Sequence, residues 1–265
     1  DSYCFLPLYV YCGKQLLVSY LRPASRSPAY HAPAVLKLLV QRLRTVWPGV
    51  QIVLRADAGF CVPRLLNWCD RKQVDYVIGI GKNSRLLAHS AGTRACAEQL
   101  FQLKRAKQRC FTEFAYQARS WPHPRRVIVK AEHNASGANP RFIVTSLSQD
   151  ARWLYTRLYC ARGDMENRIK EQMQLFSTRT SCHHWWPNQF RLLLSGMAYV
   201  LLERLRALAL HGTELAHAYV GTIRLKLLKV AAVVIRKASR WVFQLAEHFP
   251  MQAVFRTSAQ RLLSG

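Results

Sequence analysis

Two short apolar runs, at residues 50–54 and 76–80, bracket a helical stretch at 62–72, and this alternation narrows the fold more than any other feature. The helix opens with Pro63 near its first turn, where a missing N–H costs nothing. Strands alternating with helices imply an α/β sheet with some parallel pairing. Upstream, residues 5–12 and 15–21 read as a hairpin around Gly13-Lys14. Residues 34–46 carry Leu36, Leu39, Val40 and Leu43 on one side of a helix, which Pro48-Gly49 breaks.

Past residue 86 the pattern changes. Short β-like runs appear at 109–115, 126–131 and 141–145, the last two separated by Ser136-Gly137-Ala138-Asn139-Pro140. The stretch 86–150 is therefore expected to be a mainly β insertion. Helical spacing returns at 151–176, and 188–210 and 222–246 read as two further long helices. The third carries Arg224, Lys226, Lys229, Arg236, Lys237 and Arg240. The expected organisation is a core at 1–85, the β-rich insertion, core helices at 151–210, and a basic helical region at 211–265.

The segment at 159–176 has an apolar stripe of Leu158, Met165, Ile169 and Phe176. Tyr159, Arg162, Glu166 and Lys170 fall on a neighbouring stripe, so one carboxylate stands between two cations. Arg162–Glu166 and Glu166–Lys170 are each four apart, and ordinary surface ion pairs contributing a few tenths of a kcal/mol are the alternative reading.

Composition bears on that choice. Thirty-nine Lys and Arg against 14 Asp and Glu give a formal charge of +25, which points to a polyanion, most simply nucleic acid. The longest apolar run, at 192–202, is too short to span a bilayer and is bracketed by Arg191 and Glu203. Eight scattered cysteines without a CxxC speak against a zinc ribbon and for reduced thiols in the cytoplasm. Cys182-His183-His184 is the nearest approach to a metal-ligand cluster of that kind.

Asp57 follows a buried strand and precedes a turn of small residues, which is where α/β sheets place their chemistry. Helix capping is the alternative, though Asp57 stands a few residues early for a helix starting near Val62. Two carboxylates from distant segments, Asp57 and Glu166, can converge on Mg²⁺, which takes oxygen ligands and keeps positions open for water or phosphate. A pair of such ions aligns attacking and leaving oxygens in phosphodiester chemistry.

The runs IVLRADAGF, VDYVIGIGKN, YCARGDMENRIKEQ and NQFRLLLSGMAY resemble bacterial insertion-sequence DDE transposases, in the branch with a Tyr-x2-Arg-x3-Glu-x6-Lys signature. The resemblance runs from Tyr3 to about Phe255. It implies a ribonuclease-H-like mixed sheet with flanking helices and a β insertion before the glutamate. It implies cleavage and joining of duplex DNA at mobile-element ends with two Mg²⁺ or Mn²⁺ ions. Asp57 would be the second carboxylate of the triad and Glu166 the third. Tyr159 and Arg162 would contact DNA near the cleaved bond, with Lys82 and Asn83 as further contacts. The same resemblance implies a homodimer on paired DNA ends, in the bacterial cytoplasm at the nucleoid, with no membrane.

Two departures qualify it. Met173 occupies the signature lysine position, and Lys170, one turn earlier, is the substitute. The only acid before Asp57 is Asp1, so the first carboxylate and the first strand of the fold are expected to be missing. The chain is thus read as a transposase core that does not cut DNA alone. A non-catalytic DNA-binding remnant and a ribonuclease-H-like nuclease are the alternatives.

Overall fold

The computed structural model describes residues 4–246 and 248–264. Asp1 and Tyr3, named above, lie outside the described residues. The chain divides into two compact units: Ala24–Asp164, and Asp1–Pro23 together with Met165–Gly265.

The second of these begins with β1 (Phe5–Cys12) and β2 (Gln15–Pro23), an antiparallel hairpin with Cys12 opposite Gln15. Gly13 takes φ 56 at the two-residue turn, a conformation that costs a glycine little.

The Ala24–Asp164 unit opens with α1 (Ala32–Val46), which buries Leu36 and Val40 of the expected stripe. Then come β3 (Val53–Ala56), α2 (Pro63–Arg71) and β4 (Asp75–Ile80). β3 and β4 pair in parallel, with Val53 opposite Asp75 and Ala56 opposite Ile78. This is the strand–helix–strand unit that the spacing predicts.

The stretch expected as a β insertion differs. It opens with two helices, α3 (Ser84–His89) and α4 (Ala91–Lys104). Its strands are β5 (Gln108–Tyr116), β6 (Arg125–Asn134), the two-residue β7 (Gly137–Ala138) and β8 (Arg141–Thr145). They continue the sheet of β3 and β4 instead of forming a separate one, in the order β3-β4-β8-β6-β5 with β7 on β6. β8 lies between β4 and β6, and four of its five residues, Phe142 to Thr145, are buried. A strand covered on both faces reads as an unbroken apolar run, so its sequence does not reveal which sheet it joins. β3 ends the sheet on one side, and Val53 is 41 % exposed there.

A helical path follows, whose first part packs on this sheet. It begins with α5 (Ala151–Trp153), capped by Asp150, whose Oδ1 accepts from the Trp153 amide at 2.7 Å. It widens into a π-helical segment, Leu154–Tyr159, tightens to a 3₁₀ turn at Cys160–Arg162, and continues as α6 (Gly163–Gln174). Leu154 and Tyr155 pack on Val77, Ile128 and Ile143, one residue from each of β4, β6 and β8. That packing holds the segment bearing Tyr159 and Arg162 against the sheet.

In the other unit α6 is packed differently from the expected stripe. Met165 and Ile169 are half-buried and Phe176 is 51 % exposed, whereas the buried positions are the polar Glu171 and Gln172. The long helix α7 (Trp185–Leu208) lies on the hairpin. Gln189 accepts from the Leu21 amide at 2.7 Å, and the Tyr199 hydroxyl donates to the Lys14 carbonyl at 3.0 Å. The short α8 (Val220–Ile223) and a π-helical turn at Arg224–Leu228 follow. The long helix read at 222–246 does not form. Residues there make an antiparallel hairpin of β9 (Ala232–Lys237) and β10 (Arg240–Leu245). Valine-rich and aromatic composition favours strands, and β9 and β10 have it. The last helix, α9 (Gln252–Leu263), follows, and Val254 and Phe255 on it pack on a core of Leu202, Leu210, Leu215, Val220, Ile223 and Leu227.

Candidate active site

Asp57 stands immediately after the last residue of β3, on exposed backbone with φ −80 and ψ −178. Its Oδ1 accepts from the Gly59 amide at 2.9 Å and so caps the 3₁₀ turn Ala58–Phe60. The capping role is thus real, but it serves that turn and not α2, whose N-cap Val62 has no side-chain bond. A single amide uses one lone pair, and a carboxylate has about four acceptor sites, so most of the acceptor capacity of Asp57 is left for a ligand.

β4 brings Gly79 beside this turn. A Cβ at Gly79 would lie 2.6 Å from the Tyr159 hydroxyl, 2.9 Å from the Ala58 amide nitrogen and 3.3 Å from the Asp57 carbonyl carbon. Only a residue without a side chain lets the helical path approach the strand end this closely. The glycine therefore joins three segments: the Asp57 turn, β4 and the signature Tyr159. Burial pushes the Tyr159 phenol above its ordinary pKa, and the Asp57 charge adds to this against the opposing Arg162. The hydroxyl is accordingly a proton-bearing donor at neutral pH. Arg162 sets its guanidinium 5.9 Å from the Tyr159 ring centre, and Arg55 donates to the Leu158 carbonyl at 3.0 Å, pinning the same segment to β3.

Next to this junction is a cavity of about 520 Å³, with Lys82, Lys130, Asn139, Arg141, Tyr159 and Arg162 among its lining residues and no carboxylate. Lys82 is exposed there. Asn83 is committed otherwise: its Oδ1 accepts from the Leu86 amide at 2.9 Å to cap α3, and its Nδ2 donates to the Tyr116 hydroxyl at 3.3 Å. Glu166 and Lys170 are exposed on α6 and belong to the other unit. Asp57, Tyr159, Arg162 and Lys82 are thus brought together within one unit.

The sequence reading missed Lys130, Arg141 and Gly79. A lysine inside the apolar run of β6 was the available signal for the first. It also missed a buried cluster in the other unit. There Arg206 bonds to Glu171 and Glu203, and Arg168 stands 3.2 Å from Glu171. Arg168–Glu171 and Glu203–Arg206 are both three apart, the spacing at which helical side chains meet.

Among the described residues no group of three or more His, Cys, Asp or Glu is placed to hold a metal, and Cys182-His183-His184 makes no such site. Mg²⁺ is ordinarily held by one or two carboxylates with water and substrate phosphate completing its shell. The exposed Asp57 carboxylate beside a cation-lined cavity fits one such ion shared with a phosphate. A second ion needs carboxylates beyond this one.

No described helix is long and apolar enough to cross a membrane. Comparison with curated proteins gave no significant match. Residues 1–264 match the family model described as transposase DDE domain group 1. A match over that length, with an aspartate at a strand end and a basic pocket beside it, means that the chain belongs to the DDE transposase domain family, whose members act on DNA with divalent metal ions.

Proposed function

We propose that the chain is a transposase catalytic core of the insertion-sequence type, cleaving and joining DNA strands at mobile-element ends on a ribonuclease-H-like sheet. The approach of Tyr159 to Gly79 and the Asp57 turn carries this reading, because it sets a phenol donor and a carboxylate at one strand end beside a cationic cavity. Asp57 and Glu166 are the metal carboxylates. Bound Mg²⁺ or Mn²⁺, two ions in the complete enzyme, would supply charge neutralisation at the attacking and leaving oxygens. Tyr159 donates to a phosphate oxygen near the cleaved bond. Arg162 offers a guanidinium fork that matches a phosphate. Lys82 and Lys170 hold the strand as point charges. Asn83 contributes through α3, which it caps, more than through its own side chain.

A third carboxylate is part of the same proposal. It would come from a strand laid parallel to the open edge of β3, whose backbone groups on that side have no ladder partner among the described residues. Paired DNA ends would be held by a homodimer, in the bacterial cytoplasm. A DNA-binding remnant without chemistry is the second reading, favoured by Met173 at the signature lysine position.

The test is calorimetric titration of Mg²⁺ into the chain bound to duplex DNA, for the parent, Asp57→Asn and Glu166→Gln. Loss of metal uptake in both variants supports shared carboxylates, whereas unchanged uptake leaves the remnant reading. A longer polypeptide that supplies an Asp-bearing strand should gain Mg²⁺-dependent cleavage and lose it on Glu166→Ala. Nicking by the 265-residue chain alone, abolished by Asp57→Ala, would overturn the need for a third carboxylate.

A further inference from the structure

The sheet carries like charges opposite one another in the lining of the cavity. In the β6–β8 pairing Lys130 faces Arg141 directly. Like charges in that position repel and cost stability. Lys130 does meet Glu132 at 3.2 Å, but Glu132 also accepts Arg109 at 2.8 Å and Lys107 at 3.2 Å. One carboxylate therefore serves three cations, and the surplus there is positive. Arg141 and Lys82 are exposed and form no ion pair among the described residues. All three cations line the same cavity, which at about 520 Å³ is far larger than a single phosphate ion. They come from three separate elements: the loop after β4, β6 and β8. A concave surface lined by one sign of charge concentrates the opposite sign in it.

We propose that Lys82, Lys130 and Arg141 form a track for successive backbone phosphates, carrying a DNA strand from beside Asp57 past the end of β4 and the start of β8 to the middle of β6. The proposal rests on the DNA reading above and adds two strand cations, Lys130 and Arg141, to the Lys82 named there. Each phosphate held releases a condensed counterion, so each cation of the track adds to the salt dependence of binding. The two strand cations also become mutually compatible once a phosphate lies between them.

The experiment titrates a labelled duplex oligonucleotide against the full chain over a range of salt, for the parent, Lys130→Gln/Arg141→Gln and Lys37→Gln/Arg42→Gln. Lys37 and Arg42 are exposed on α1, so the control removes the same charge elsewhere in the same unit. The pocket variant is expected to flatten the slope of log affinity against log salt by about 1 to 2, and the control by much less. Arg141→Gln alone, at an exposed side chain, should flatten it by about half as much and guards against misfolding of the double variant. Equal flattening in both double variants overturns the track, because net charge alone would then explain binding. A parent that binds DNA with no salt dependence overturns the DNA reading itself, and the two failures are thereby distinct. If DNA binding survives in the pocket variant while inorganic phosphate raises the melting temperature of the parent and not of that variant, the cavity is a phosphate-ion site and the track is wrong.

Discussion

In the unit formed by Asp1–Pro23 and Met165–Gly265, arginines and glutamates are buried together. Glu171, Glu203 and Arg206 are each less than a tenth exposed, Arg206 also donates to the Ala218 carbonyl, and Glu171 accepts from the Val220 amide. In Ala24–Asp164 the cavity sets Lys82, Lys130 and Arg141 at a surface whose lining holds no carboxylate. The difference separates two uses of charge. Where opposite charges are buried together with their hydrogen bonds made, the desolvation cost is met internally and the cluster fixes packing. Where one sign is left at a concave surface, the protein bears the repulsion and the complement arrives from outside.

Six substitutions break or sharpen that contrast. Glu171→Ala should cost about 3–5 kcal/mol by stranding buried arginine charge, while Arg141→Gln should stay within about 0.5 kcal/mol of the parent. Urea unfolding of the two variants reads both, and similar losses would erase the distinction between the units.

Gly79→Ala should cost about 1–3 kcal/mol, because the new methyl meets the Tyr159 hydroxyl and the Ala58 amide. Adding Tyr159→Phe should recover part of that loss, since it removes one of the two clashing atoms. A double-mutant cycle measured by thermal unfolding checks this, and strict additivity would mean that the two residues do not meet.

Glu132 carries a smaller effect that depends on pH. Burial works against its charged form, but hydrogen bonds from Arg109, Lys130 and Lys107 outweigh this and bring its pKa from 4.5 down to about 2. A carboxyl depressed on folding adds stability above its unfolded pKa, and that stability fades as pH falls through the folded one. The gap in urea midpoint between the parent and Glu132→Gln should therefore be full at about pH 6 and shrink below about pH 4.5. A gap independent of pH would remove the ion cluster as its cause.

A change as small as that of Arg141→Gln is expected for Asp57→Asn. The amide oxygen can still accept from Gly59, so the unfolding midpoint should move by no more than about 0.5 kcal/mol even where metal uptake is lost. A large destabilisation would make Asp57 a structural cap first.

Much of the path to Asp57 was legible. The runs that became β3 and β4 are short, apolar and separated by a helix opening with proline, so local pattern and tertiary role agree. The hairpin of β9 and β10 was not legible in the same way. Its basic residues recur at near-helical intervals, and its turn at Ala238-Ser239 contains no glycine, proline or asparagine, although Ala238 takes φ 40. The apolar stripe on α6 misled for another reason. Arg206, which bonds the buried Glu171, lies more than thirty residues away, and helical periodicity does not report so distant a pairing. At the site, Asp57 was named from its place after a strand and Tyr159 and Arg162 through the resemblance of their segment, whereas the Lys130–Arg141 opposition is a matter of strand register, which one-dimensional spacing does not contain.

The π-helical segment Leu154–Tyr159 bears on how the chain tolerates changes of length. A π turn holds one residue more than the α turn it interrupts, and that residue is accommodated as a bulge. Loss of Thr156 or Arg157 from the bulge would let the turn tighten to ordinary α geometry, leaving the residues after it on their original face. The same loss inside a regular helix such as α7 would swing everything beyond it by about 100°. The approach to Tyr159 and Arg162 thus contains a built-in slack of one residue, in the part of the helical path where a shift of phase would otherwise turn the signature side chains away from the strand end.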